Sequence, residues 1–224
     1  SNTLTRNLII FGQGLNKSHP HIYPILESIL DDNESAFNKE FVTMLKHVGT
    51  CYKNSLLATF SSDSLLQRQT KHFANLANFI ALNGGKLKAQ QMLSADMADI
   101  LSNLYLAHSV QWFHNHFKIS KKLTTYCINR LCNENQRSFN RILANQPAFS
   151  PLLFFMKGKE TPSSYEDTRS IINELGQNVW IMNTLKSDII TEKTALDELL
   201  NLDTSHTYDA DYYDAIQVGE YPNP

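Results

Sequence analysis

The sequence predicts an all-α protein: an antiparallel helical bundle of about four long helices, followed by shorter C-terminal helices and an extended acidic tail. Three observations predict it. Gly and Pro are sparse, 8 and 7 in 224 residues, so helices run far before a breaker stops them. Apolar residues recur at i, i+3, i+4 and i+7 along several long stretches, the rhythm of an amphipathic helix. Strands alternating with helices, the pattern of a parallel sheet, are absent from the sequence.

The first stretch, residues 7–18, reads NLIIFGQGLNKS. An apolar run meets Gly12-Gln13-Gly14, and Lys17-Ser18 follows, as in a loop that cradles phosphate. The spacing is wrong for one. A P-loop places its Lys directly after the second Gly of G-x-x-x-x-G-K, and a dinucleotide fingerprint needs a third Gly where Lys17 stands. The plainer reading is a helix ending in a Gly-rich turn, with His19-Pro20 opening the next segment. Next comes ESAFNKEFVTMLKHVGTCYKNSLLATF, whose Phe37, Phe41, Met44, Leu45 and Val48 share a helical face. A third helix, capped by Asp63 or the neighbouring serines and starting near Leu65, places Phe73, Leu76, Ala77, Ile80 and Ala81 together. Asn83-Gly84-Gly85 stops it.

The clearest helix follows. Leu93, Met97, Ile100, Leu101, Leu104, Ala107 and His108 lie on one face, which continues to Gln111-Trp112. Ser120 caps the next, starting at Lys121, with Leu123, Tyr126 or Cys127, Ile128, Leu131, Phe139 and Ile142 on a broad face. After Pro147 a short apolar helix and a loop are expected, then shorter helices near residues 165–184 and 191–202. The last residues, TYDADYYDAIQVGEYPNP, have no period and read as an extended strap or a disordered tail. The domain boundaries that result are 1–146 for the bundle, 147–204 for a smaller helical extension and 205–224 for the acidic, Tyr-rich tail.

Composition narrows the function. No apolar run approaches the roughly 20 residues that a membrane helix needs, and no signal peptide is evident at the start. Three scattered cysteines, Cys51, Cys127 and Cys132, make neither a disulfide scaffold nor a zinc knuckle, so a reducing, cytosolic setting is expected. The net charge of −2 hides an asymmetry. Residues 1–186 carry 19 Lys/Arg against 13 Asp/Glu, while residues 187–224 carry one Lys against nine Asp/Glu. Lys121-Lys122 and Arg130, Arg137 and Arg141 do not make the dense basic stripe of a nucleic-acid binder, and no nucleic-acid partner is expected.

Candidate chemistry is thin. His114 and His116, two apart, point about 200° away from each other on a helix and cannot share an ion. His19 and His21 sit in a turn. No H-E-x-x-H and no zinc spacing of cysteines occurs, so no metal is expected. Asp209, Asp211 and Asp214 lack the Gly and distal Glu of a calcium loop. Asp96 and Asp99 sit three apart on one helix face and read as its polar flank. No residue is assigned a catalytic role.

Several stretches together resemble one family. TRNLIIFGQG with HP after it, FNKEFVTMLKHVG, and above all GGKLKAQQMLSADMADILSNLYLAHSV look like the C-terminal region of bacterial long-chain acyl-CoA dehydrogenases. In the third stretch Gly84, Gly85, Leu87, Lys88, Ser94, Ala95, Asp99, Ile100, Leu101, Ser102, Leu104, Tyr105, Leu106 and Ala107 match the family pattern. The resemblance is strong over residues 1–115 and loose beyond. It departs at Ala89-Gln90-Gln91 and at Asp96, where the family carries basic residues.

The resemblance implies that the chain is the C-terminal helical part of an FAD-dependent acyl-CoA dehydrogenase, which oxidises fatty acyl-CoA to trans-2-enoyl-CoA in β-oxidation. NLIIFGQG is then similar to the last helix of the catalytic core. With Ser1 and Asn2 taken as native, the catalytic Glu of the family's Glu-Gly pair falls two residues before Ser1, so the chain alone is expected to be inactive. Ser1 and Thr3 correspond to positions that touch the flavin phosphates, and FAD is the cofactor of the parent protein. The implied partners are the N-terminal catalytic domains and a second copy in a homodimer. The implied location is cytoplasmic, with peripheral association at the inner membrane. The alternative is a non-enzymatic helical interaction module that kept the fold and lost the chemistry.

Overall fold

The computed structural model describes residues 19–187, apart from 84, 85, 88, 162 and 163. The chain divides into two compact units, residues 1–177 and 178–224. The boundary that the sequence suggested at 146/147 thus has a neighbour at 177/178.

In the first unit, α1 spans Ile22–Leu30, α2 Glu34–Phe60, α3 Leu65–Ala81, α4 Gln91–Phe117 and α5 Lys121–Asn145. A 3-10 turn covers Phe154–Met156, and α6 spans Tyr165–Gln177. Four of these are the long helices expected, and no strand occurs among the described residues. Each boundary has a local cause. Asn33 caps α2 by accepting from the Ala36 N–H. Ser64 opens α3 with a reciprocal capping box to Gln67, and Ser120 caps α5 through the Leu123 N–H. These contacts satisfy backbone donors that a helix start leaves unpaired. Between α4 and α5 the chain reverses in three residues, with Lys118 in the left-handed region at φ 52°.

The core lies between α3, α4 and α5. Leu76, Ile80, Met97, Ile100, Phe139, Ile142 and Leu143 are all essentially sealed from solvent. The sequence rhythm had named Leu93, Met97, Ile100, Leu104 and Ala107 on α4, and each is buried. The 3-10 turn closes one end of this core with Leu153, Phe155 and Met156. It is fastened by hydrogen bonds from Tyr52 Oη to the Leu152 carbonyl at 3.2 Å and from Gln136 Nε2 to the Met156 carbonyl at 3.0 Å. Gly158 passes so close to Gln136 that a Cβ there would meet its amide carbon at 2.9 Å.

Three expectations need correcting. The face predicted for α2 is not core: Phe41 and Leu45 are exposed, and α2 buries fully only Ser55 and Ala58 near its C-terminal end. On α4, His108 and Trp112 leave the buried face, because α4 is nearly as apolar on its outer side as on its inner one and period alone does not choose between them. The helix expected over 165–184 breaks at Asn178, which starts a new helix, α7 (Val179–Ser187), in the second unit. Its Oδ1 accepts from the Ile181 N–H at 3.3 Å.

Candidate functional site

Three groups of polar side chains stand out. The first joins α1, α2 and α3 through histidine. His19 and His21 flank Pro20 just before α1, and His47 projects from α2. The three ring centroids lie 5.3 to 6.0 Å apart, edge to face. The His21 N–H donates to His19 Nδ1 at 3.3 Å, and His21 Nδ1 stands 3.8 Å from the Glu40 carboxylate. His47 Nε2 lies 3.4 Å from the Cys51 thiol, one turn along α2. Burial holds the His19 pKa below its ordinary value, and His47 and His21 add to this while Asn78 on α3 opposes it. Burial likewise raises the Cys51 thiol, so it is not an activated nucleophile. Among the described residues no His, Cys, Asp or Glu side chains are arranged to hold a metal ion.

The second group lies between α4 and α5. Arg141 donates through Nε to both oxygens of Asp96 at 2.9 Å, and Nη2 adds bonds to Asp96 and to Ser138. Asp96 is therefore no polar flank: it is buried, and its guanidinium partner holds it there. The pair stands between two surface cavities. One, about 330 Å³, is walled by Met92, Leu93, Ile142 and Gln146. The other, about 510 Å³, is edged by Asp99, Asn103, Glu134 and Arg137. Asp99 is exposed in the second cavity, so the two carboxylates do not act on a common point.

The third group is a cavity of about 550 Å³ between α5 and α6, lined by Lys121, Lys122, Tyr126, Asn129, Thr161 and Asp167. Lys122 is bonded to Ser170 and Tyr126 Oη to Thr168. His114 and His116 have separate duties: the first donates to the Ile119 carbonyl at 2.7 Å, the second to Trp112 at 3.0 Å. Ser1, Thr3, the Gly12–Ser18 loop and the tail aspartates lie outside the described residues.

In the core, His72 is a polar residue that the sequence pattern did not single out. It hydrogen-bonds Ser55 Oγ at 2.8 Å across α2 and α3, and burial lowers its pKa to about 4. Gln69 donates to the Cys132 carbonyl at 2.8 Å and accepts from Asn135 at 3.3 Å, tying α3 to α5. Only the i, i+3 spacing of Gln69, His72, Asn75 and Asn78, which puts them on the buried face of α3, hints at such a seam.

No helix among the described residues is long and apolar enough to cross a membrane. No solved structure matches the chain. A family match does exist, over residues 16–200; it takes in the region after 115, where the resemblance was loose, and leaves out residues 1–15. The chain belongs to the family described as acyl-CoA dehydrogenase, C-terminal, bacterial type.

Proposed function

We propose that this chain is the C-terminal helical part of an FAD-dependent dehydrogenase of fatty acyl-CoA. Its role is to complete the fold and offer contact surface rather than to carry out the chemistry. The observation that carries this reading is the set of large apolar side chains left exposed on the neighbouring helices α1 and α2. Tyr23, Leu26, Ile29 and Leu30 on α1, and Phe41, Val42 and Leu45 on α2, are exposed in the chain alone. Exposed apolar side chains gathered on two adjacent helices are read here as a docking face. Its proposed occupant is the catalytic region of the same polypeptide, because the family is by description the C-terminal part of a larger enzyme. A homodimer contact and a peripheral membrane contact are further roles for the remaining exposed surface, such as Tyr105 and Trp112 on α4.

In this reading no flavin contact is assigned to the described residues. The lysines of the α5–α6 cavity are exposed, and Lys122 is engaged with Ser170. Arg141 is committed to Asp96. No step of the oxidation is therefore assigned to them. Flavin supplies the hydride acceptor in such reactions, and a protein base supplies proton removal. In this reading both are held by the rest of the enzyme.

The test uses the complete polypeptide encoded by the gene. Its flavin absorbance is recorded, and long-chain acyl-CoA is added without an electron acceptor. Bleaching is the expected result. A complete protein with no flavin contradicts the proposal and leaves the interaction-module reading.

A further inference from the structure

The histidine cluster has no part in the proposed function, and its position suggests one of its own. Helix α1 is tethered at its C-terminal end by a tight turn. Asp31–Asn33 lead straight into α2, with Asp32 at φ 49° and the Asn33 N–H bonded to the Ser28 carbonyl at 2.9 Å. Along its length the grip is weak: although mostly apolar, α1 fully buries only Ser28. At its N-terminal end His19 and His21 close on His47. A short helix hinged at one end and fastened at the other by three imidazoles is a clasp.

We propose that the cluster is an acid-released clasp: it holds the start of α1 on α2 and α3 while the rings are neutral, and frees α1 when more than one proton is taken up. Neutral imidazoles pack edge to face at these distances without charge repulsion, whereas two imidazolium rings 5 to 6 Å apart repel. Among the described residues one carboxylate faces the cluster, that of Glu40, 3.8 Å from His21 Nδ1, and it offsets a single positive charge. Among the described residues the cluster otherwise meets the Cys51 thiol from α2 and the uncharged Asn78 from α3. The charged or titratable residues of α3, Arg68, Lys71 and His72, lie six or more positions before Asn78. The sign follows from His19. A histidine held below its ordinary value of 6.5 favours the closed form at neutral pH, and that preference is lost as pH falls.

Amide hydrogen exchange on the full 224-residue chain tests this, comparing about pH 7.5 with about pH 5.5 after correction for intrinsic rates. Protection of residues 22–30 relative to α5 is expected to fall by roughly tenfold or more on acidification. His47→Gln is expected to remove most of that fall, and Glu40→Gln to deepen it. If His47→Gln does not fold, His19→Asn gives the same reading. Equal loss of protection in α1 and α5, as protonation of core His72 alone produces, overturns the proposal. So does an undiminished fall in His47→Gln.

Discussion

The α3–α4–α5 core and the α1–α2 arm are both rich in apolar residues, yet they behave in opposite ways. In the core, Phe139 is 0% exposed and Ile80 and Met97 are as deeply sealed. In the arm, Leu30 is 84% exposed, and six of the nine residues of α1, Ile22, Tyr23, Ile25, Leu26, Ile29 and Leu30, are aliphatic or aromatic without closing a core. Apolar content thus says that a surface must be covered, and only the fold says whether this chain covers it. The core closes within this chain. In the proposed reading, the arm is half of an interface.

The comparison is broken most severely by deletion in the core. Phe139→Ala is expected to cost about 3–5 kcal/mol, through lost burial and a residual cavity. Leu30→Ala in the arm is expected to stay within about 0.5 kcal/mol. Urea unfolding of the two variants measures the contrast, and similar losses would place α1 in the core. Acid is next. His72 must stay neutral inside, so its contribution is complete above its unfolded value of 6.5 and is lost as pH falls toward 4. The displacement corresponds to about 3 kcal/mol. His72→Gln is expected to flatten this part of the stability–pH curve.

Arg141→Met strands the buried Asp96 carboxylate and is expected to cost about 1–3 kcal/mol. Adding Asp96→Asn should recover part of the loss, a coupling that a double-mutant cycle reads directly. The smallest effects sharpen the core. Asn75 is fully buried and neither polar atom of its amide has a hydrogen-bond partner among the described residues. Asn75→Leu is expected to stabilise by about 1 kcal/mol, since an unpaired buried amide costs more than the hydrocarbon replacing it. A lower thermal midpoint in that variant would assign Asn75 a binding role.

How much of this was legible depends on the physics at each place. The four long helices could be read because their periodicity and caps are local signals, and Ser64 and Ser120 cap as their residue types require. The buried face of α4 could be read where it meets α5, at Leu93, Met97, Ile100, Leu104 and Ala107. The α2 face containing Phe41 and Leu45 was legible as apolar but not as exposed, because periodicity marks a face without saying what covers it. Asp96 looked like a solvated flank because its partner, Arg141, lies 45 residues away in sequence. The histidine cluster was invisible for the same reason: His19 and His21 meet His47 only after α1 folds back on α2. The family resemblance was legible in several stretches, most densely in residues 84–107, and the match over residues 16–200 extends past 115 but does not include residues 1–15.

The central claim is that the arm is built for the rest of a larger enzyme. The most direct test places charge on it with the double variant Leu26→Asp, Leu30→Asp, made both in this chain and in the complete polypeptide. In this chain both positions are exposed, so the thermal midpoint is expected to change little. In the complete protein the same substitutions are expected to release flavin and abolish bleaching by acyl-CoA. A complete variant that keeps its flavin and bleaches as the wild type does would contradict the account.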